Sequence, residues 1–220
     1  ITISTFNSVV YFALNHTQVI NAVLVLAAIP AATIVFSSFM NIEKTNFFQL
    51  FGLFLSIIGI GSIISNGDIQ KIISLNFNKG DSWMLVCVIT WALYSTLLKK
   101  NKFEFSQFTL IQLMVTAGLF FLIPQLLYEK SIGLEVNFNK AFFIILFYVV
   151  VFPAIAAYYF WQKGIELIGP NRATMFIQLM PLFSAVMAIL IFKEKFELYH
   201  FVGAAFIVSG IYLSNKKTYD

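Results

Sequence analysis

The sequence predicts an all-α fold, a polytopic bundle of membrane-crossing helices. Hydrophobic residues make up 60% of the chain and charged residues 11%, with a mean hydropathy of +0.86. That leaves too few polar side chains to coat a soluble globule of this size. The apolar residues also fall into blocks near the length that a bilayer demands, about 20 residues at ~1.5 Å rise per residue across roughly 30 Å of hydrocarbon. Nearly all Asp, Glu, Lys and Arg lie between the blocks, as in Asn41 to Asn46, Lys99 to Glu104 and Lys193 to Glu197, where water hydrates them. A soluble helical protein would need charged outer faces, and these blocks have almost none.

Taken in order, Ile1 to Leu14 reads as the end of one helix. Complete blocks follow at Val19 to Met40, Phe47 to Ser65, Trp83 to Leu98, Phe108 to Tyr128, Ala141 to Trp161, Ala173 to Phe192 and Leu198 to Leu213. No initiating Met or basic leader precedes Ile1, which already belongs to a hydrophobic helix, so the sequence is expected to start mid-protein. The net charge of +4 is spread over loops at membrane faces rather than clustered on one water-facing element, so nucleic acid is not an expected partner. Cys87 is the only cysteine, and His16 and His200 stand alone. Neither an internal disulfide nor a metal site is expected, and no cofactor is called for.

Residues 11 to 61 match residues 162 to 212 at a constant offset of 151, without a gap. The offset pairs Ala22 with Ala173, Pro30 with Pro181, Glu43 with Glu194, Lys44 with Lys195, Gly52 with Gly203, Gly59 with Gly210 and Ile60 with Ile211. A duplication at this period means a repeated structural unit. Two helices precede the second copy, starting near Asp81, so about 70 residues with two more helices are expected upstream of Ile1 by the same offset. The intact design is then five plus five helices, of which about eight are present. Residues 1–66 hold the last three helices of the first repeat, 67–80 a connecting loop, 81–214 the complete second repeat, and 215–220 a tail. An odd number of helices per repeat forces the copies into opposite orientations across the membrane, an arrangement that characterises secondary transporters with a site near the midplane.

At these residues the chain resembles a known family. Tyr158-Tyr159-Phe160-Trp161-Gln162-Lys163-Gly164-Ile165-Glu166, then Gly169-Pro170-Asn171-Arg172-Ala173, Met180-Pro181, Glu194 and Gly203 to Gly210, are similar to the second repeat of EamA-type transporters of the drug/metabolite transporter superfamily. Gly80-Asp81 leading into Trp91-Ala92-Leu93-Tyr94 is similar to that family's sixth helix. The resemblance implies ten helices, both termini in the cytoplasm, a bacterial cytoplasmic (inner) membrane, and export or exchange of small metabolites, often amino acids. The polar residue three before the Pro, commonly Asn in such sequences, is Gln178 here. With the C-terminus inside, eight Lys and Arg fall on the cytoplasmic side (Lys44, Lys99, Lys100, Lys102, Lys163, Arg172, Lys216, Lys217) and six on the other. The bias has the sign of the positive-inside rule.

Polar side chains inside membrane helices face protein or a water-filled cavity, so their spacing indicates a pathway. Tyr158, Trp161, Gln162 and Glu166 share one helical face, and the offset maps Tyr158, Gln162 and Glu166 onto Asn7, Tyr11 and Asn15. Asn171, Thr174 and Gln178 with Pro181 form a second line, Thr109, Gln112 and Thr116 a third, and Trp91, Tyr94 and Ser95 a fourth. These lines are expected to converge on one central cavity for a small-molecule substrate. The alternative is that each makes only interhelical hydrogen bonds, worth about 0.6 kcal/mol on average in membranes. Pro30 and Pro181 are expected to kink their helices. Gly52, Gly59, Gly203 and Gly210, in pairs one heptad apart, are expected to let helices approach closely. Glu43 and Glu194, beside Lys44 and Lys195, are expected to cap helices or form loop salt bridges.

No block carries a carboxylate near its middle, so the residues name no coupling ion, and nothing in them fixes an oligomeric state. A cavity of Trp, Tyr, Gln, Asn and Thr suits neutral, zwitterionic or partly aromatic solutes. A lipid or drug flippase is the nearest alternative. A membrane-embedded enzyme would need a nucleophile and base or metal ligands in the bilayer, and the sequence has no HExxH or GxSxG. A non-transporting scaffold would need only packed helices, but no loop is long enough for an extramembrane domain.

Overall fold

A computed structural model describes residues 2–74, 76–100, 105–133, 138–193 and 195–216. Glu194, half of the repeated Glu-Lys pair, lies outside them. The structure is an all-α polytopic bundle, and among the described residues seven helical spans are long and apolar enough to cross a membrane. Helix α1 (Thr2–Leu14) is followed by α2 (Val19–Leu26) and α3 (Ile29–Phe39), then α4 (Phe47–Ile64) and a short α5 (Ile69–Ile73) in the connecting loop. The second half contains α6 (Lys79–Lys100), α7 (Gln107–Ser131), α8 (Lys140–Val149), α9 (Ala157–Ile168), α10 (Pro170–Met175), α11 (Met180–Phe192) and α12 (Leu198–Asn215).

Near Pro30 and Pro181, where the sequence leads one to expect kinks, regular α-helix is interrupted within each span. The first span divides into α2 and α3 at Ala27 and Ala28, and the second passes through a 3-10 turn, Phe176–Leu179, between α10 and α11. Each proline then lies within the first two residues of the new segment, where its missing N–H would have had no helical partner anyway. The same missing donor deprives the carbonyls of Leu26 and Ile177, four residues back, of their usual bond. Ile177 C=O instead accepts from the Met180 N–H in the tighter turn. A third irregularity has no repeat counterpart in the described residues: a π-helical segment, Val150–Ala156, containing Pro153, joins α8 to α9.

Helices α4 and α12 are counterparts under the offset, and they pack face to face in antiparallel sense. Gly52 meets Gly210 and Gly59 meets Gly203, a pattern that maps onto itself when the repeats are exchanged. A Cβ on Gly59 would lie 2.6 Å from the Gly203 carbonyl oxygen, and one on Gly203 would lie 2.8 Å from that of Gly59. The backbones therefore touch, as small residues in membrane helices permit. Ser56 Oγ, between the two contacts, lies 3.5 Å from the carbonyl of Ile207, its own offset partner. Capping boxes open both helices at matching positions, Asn46 with Gln49 and Glu197 with His200. Ala27, Ile60, Ile63, Ile207 and Ile211 form the apolar core beside this seam.

The Gly80-Asp81 motif anchors the start of α6. Asp81 is 1% exposed, and its carboxylate accepts from Asn21 Nδ2 at 3.0 Å, Asn78 N–H at 2.8 Å and the Thr17 hydroxyl. A Cβ on Gly80 would lie 2.6 Å from the His16 carbonyl carbon, so this turn admits only glycine. Asp81→Ala leaves Thr17, Asn21 and Asn78 without their common acceptor, at about 1–3 kcal/mol for buried groups. A fall in detergent melting temperature, read by size-exclusion survival after heating, is the expected result.

Candidate functional site

Tyr158, Trp161 and Gln162 lie on one face of α9 because they sit three and four residues apart, and Trp91 and Tyr94 do the same on α6. The structure brings the two faces together. Trp91 lies 5.3 Å from Trp161, 5.9 Å from Tyr158 and 5.6 Å from Tyr94, between ring centroids, and Phe6 of α1 packs on it at 4.6 Å. Asn7, one residue on, donates to the Tyr158 hydroxyl at 3.2 Å. These two residues are offset partners, as are Ser56 and Ile207.

Gln162, 5% exposed, donates from Nε2 to Tyr94 OH at 3.5 Å and towards Met114 Sδ at 3.8 Å, both long. Its Oε1 has no hydrogen-bond partner, and neither do the indole N–H groups of Trp91 and Trp161. Buried polar atoms are nearly always paired, and leaving one unpaired costs about 1–3 kcal/mol. Two donors and one acceptor are thus left open inside one apolar cluster.

Three cavities run along α7 past this cluster. The first, about 660 Å³, has Gln162 in its wall and Lys99, Gln107, Lys163 and Glu166 around it. There Lys163 pairs with Glu166 at 3.0 Å, and Glu166 also accepts from Gln107 Nε2 at 2.6 Å. The second, about 200 Å³, lies beyond Met114 and Tyr158 and is lined mainly by apolar residues of α7. The third, about 450 Å³, is bordered by Asn7, Tyr11, Asn15, Gln125 and Glu129. Ser8 donates to Gln125, which donates to Glu129. Gln162 lines the first cavity and Tyr158 the second, whereas Trp91, Tyr94 and Trp161 line none of the three.

The model of the EamA-like transporter family matches residues 78–216, well over half of the chain. The chain belongs to the EamA-like transporter family. It is similar to an uncharacterized transporter of Archaeoglobus fulgidus, 27% identical over 96% of this chain and 71% of that protein. The uncharacterized transporter YyaM of Bacillus subtilis is 22% identical over 94% of this chain and 67% of its own. The thiamine-repressible mitochondrial transport protein THI74 of Saccharomyces cerevisiae is 25% identical over 93% of this chain and 58% of its own. A crystal structure with 15% identity superposes with a TM-score of 0.76, covering 96% of this chain and 72% of the other, so the fold is shared. The protein is a membrane transporter of small solutes.

Not every polar line of this EamA-like chain reaches the cluster. Gln178 lies apart, 1% exposed, at a cavity of only about 10 Å³ between the two broken helices, with both amide atoms unpartnered. Asn171 and Thr174 are fully buried in α10; the Thr174 hydroxyl bonds back to the Pro170 carbonyl at 2.9 Å. Gln112 is exposed on the outer side of α7 and borders none of the three cavities described. Tyr11, 70% exposed, reaches only the third. Sequence reasoning missed Phe6, Met114 and Ser8. Met114 stands one helical turn after Leu110 on the cavity-facing side of α7, but an apolar residue among apolar residues gives no signal by type.

Glu43 does not pair with Lys44. Its carboxylate reaches into the second repeat and accepts the Asn171 N–H at 3.1 Å, capping the start of α10. Gly169, at φ +82°, leaves it room, since a Cβ there would overlap Glu43 Oε1. Burial pushes the Glu43 carboxyl above its ordinary value, against the opposing pull of the Asn171 N–H, Lys99 and Arg172. A carboxyl whose pKa is raised in one arrangement favours that arrangement below its ordinary pKa, and the advantage is lost as pH rises through the raised value. The folded arrangement that buries this carboxyl is therefore expected to gain stability on acidification, although the Asn171 bond itself favours the ionised form. Melting curves between pH 4 and 8 should show that trend, and Glu43→Gln should flatten it.

Proposed function

We propose that this transporter carries neutral or zwitterionic metabolites, amino acids first among them, by alternating access. The observation that carries the reading is the set of three open atoms, Trp91 Nε1, Trp161 Nε1 and Gln162 Oε1, in one buried cluster whose Gln162 lines the first cavity and whose Tyr158 lines the second. Two N–H donors suit a carboxylate, and an amide oxygen suits an ammonium group. The surrounding ring faces add cation–π attraction of about 0.5–2 kcal/mol. No ionised side chain belongs to the cluster, so a solute of net charge would lose its water without gaining a counter-ion.

Alternating access needs two related halves, and residues 1–66 and 81–214 are proposed to be inverted copies. The self-mapping contacts of α4 with α12, and the offset pairs Asn7–Tyr158 and Ser56–Ile207, support that relation. A C-terminus on the inner side of a bacterial cytoplasmic membrane would place the cavity with Lys99 and Lys163 towards the cytoplasm, in keeping with the bias of basic residues. Counterflow of labelled amino acids in proteoliposomes containing the full-length protein tests the reading. Saturable exchange of neutral amino acids, with little for lysine or aspartate, is expected; equal exchange of charged and neutral ones, or none, sinks it.

A further inference from the structure

We propose that the cavity of about 200 Å³ between α1, α7 and the π-helical segment is a tail subsite, so that the carried solutes are those with a bulky, uncharged apolar side chain. This rests on the proposed transport of zwitterions and adds which of them fit. The cavity adjoins the ring cluster that holds the head-group atoms, because Tyr158 belongs both to its wall and to the cluster, and Met114 in its wall is the group that Gln162 Nε2 approaches. Its walls are otherwise mainly apolar, with Ile111, Val115, Leu119, Leu122 and Ala154 among them and the Ser8 hydroxyl already donating to Gln125, and none of its lining residues is charged. The polar residues Asn7 and Tyr158 at its edge are bonded to each other. An apolar cavity of about 150 Å³ suffices to hold a benzene ring, so this one accepts a phenyl or branched aliphatic tail. A glycine or alanine would leave it unfilled, and each buried methylene contributes about fourfold in affinity. A lysine or aspartate tail would be buried there without a partner.

The irregular turn between α8 and α9 shapes this wall. Pro153 lies inside the π-helical segment, and the next residue is the small Ala154, which faces the cavity. Ala154 is thus assigned as a specificity-determining residue. Its enlargement fills the subsite without touching the indole or amide atoms of the head-group site.

The test is competition against labelled leucine counterflow in proteoliposomes with the full-length protein, using glycine, alanine, leucine, phenylalanine and lysine. Leucine and phenylalanine are expected to compete about tenfold or more better than alanine, with lysine inert. Ala154→Phe, and independently Val115→Phe from the facing helix, are expected to reduce the leucine-to-alanine preference by about tenfold or more. Amino acid exchange with no dependence on tail size, or a preference unchanged in both variants, overturns the subsite and leaves the transport reading intact. No exchange of any amino acid overturns both. Val115 and Leu119 also face outwards, so a lipid chain is the competing occupant; translocation of a fluorescent phospholipid that leucine does not inhibit would contradict the proposal. The preference series on the unsubstituted protein decides the matter even if both variants fail to fold.

Discussion

Gln162→Ala is expected to weaken amino acid counterflow by roughly ten- to a hundredfold at subsaturating substrate while leaving the amount of membrane-inserted protein unchanged. The side chain holds one of three open polar atoms in the ring cluster and makes only long contacts of its own, at 3.5 and 3.8 Å. Losing a hydrogen bond to a charged group removes about 1.5–3 kcal/mol, or roughly ten- to a hundredfold in binding. Trp161→Phe and Trp91→Phe sharpen the assignment, since each keeps an aromatic ring while removing the indole N–H together with the bulk of the fused ring. A purely structural role predicts the opposite pattern, in which melting temperature and transport fall together. If the open atoms serve the solute, transport falls far more than the cavity left by the smaller side chain lowers the melting temperature, because the empty protein has no hydrogen bond at these atoms to lose.

The second large effect is on folding. Gly59→Leu or Gly203→Leu is expected to eliminate the monodisperse protein peak in detergent size-exclusion chromatography. A Cβ at either position approaches the carbonyl oxygen of the other to within 2.8 Å, and these are backbone atoms that no rotamer change can move aside. Overpacking of a core costs typically about 1–3 kcal/mol, and separating two helices along their whole seam adds the lost burial of Ile60, Ile63, Ile207 and Ile211. Gly164 supplies the control on a membrane helix, since a Cβ there meets nothing within 4 Å. Gly164→Ala should fold normally.

Much of this was legible from residue types and one number. Hydrophobic blocks gave the spans because only helices satisfy the backbone in lipid, and the offset of 151 anticipated that α4 and α12 would share glycines at matching places. The ring cluster was legible too, since Trp91 with Tyr94, and Tyr158 with Trp161 and Gln162, obey helical spacing. Spacing says which face a residue occupies and not which neighbour that face meets. Gln178 and Gln112 have the same periodic credentials as Gln162, yet one is sealed between broken helices and the other turns outward. The sequence also marked Pro30 and Pro181 without revealing that the chain breaks ahead of each. Glu43 reads from the sequence as a helix cap or loop salt bridge, and the gap left by Gly169 admits it to a helix start 128 residues away. Such pairings are tertiary, and local charge pattern carries no record of them.

The binding reading can be tested on the protein's own fluorescence. Residues 1–220 contain three tryptophans; Trp83, packed on Phe12 at 5.6 Å, is removed as a background signal by Trp83→Phe, and any tryptophan of the full-length protein outside these residues likewise, leaving Trp91 and Trp161 as reporters. Titration of the full-length protein with leucine is predicted to give a saturable change in emission. Isoamylamine, which lacks the carboxylate, and 4-methylpentanoate, which lacks the ammonium, should give little, and Gln162→Ala should lose the response to leucine. An identical response to all three compounds, or one that survives Gln162→Ala, would contradict recognition of a zwitterion at this cluster.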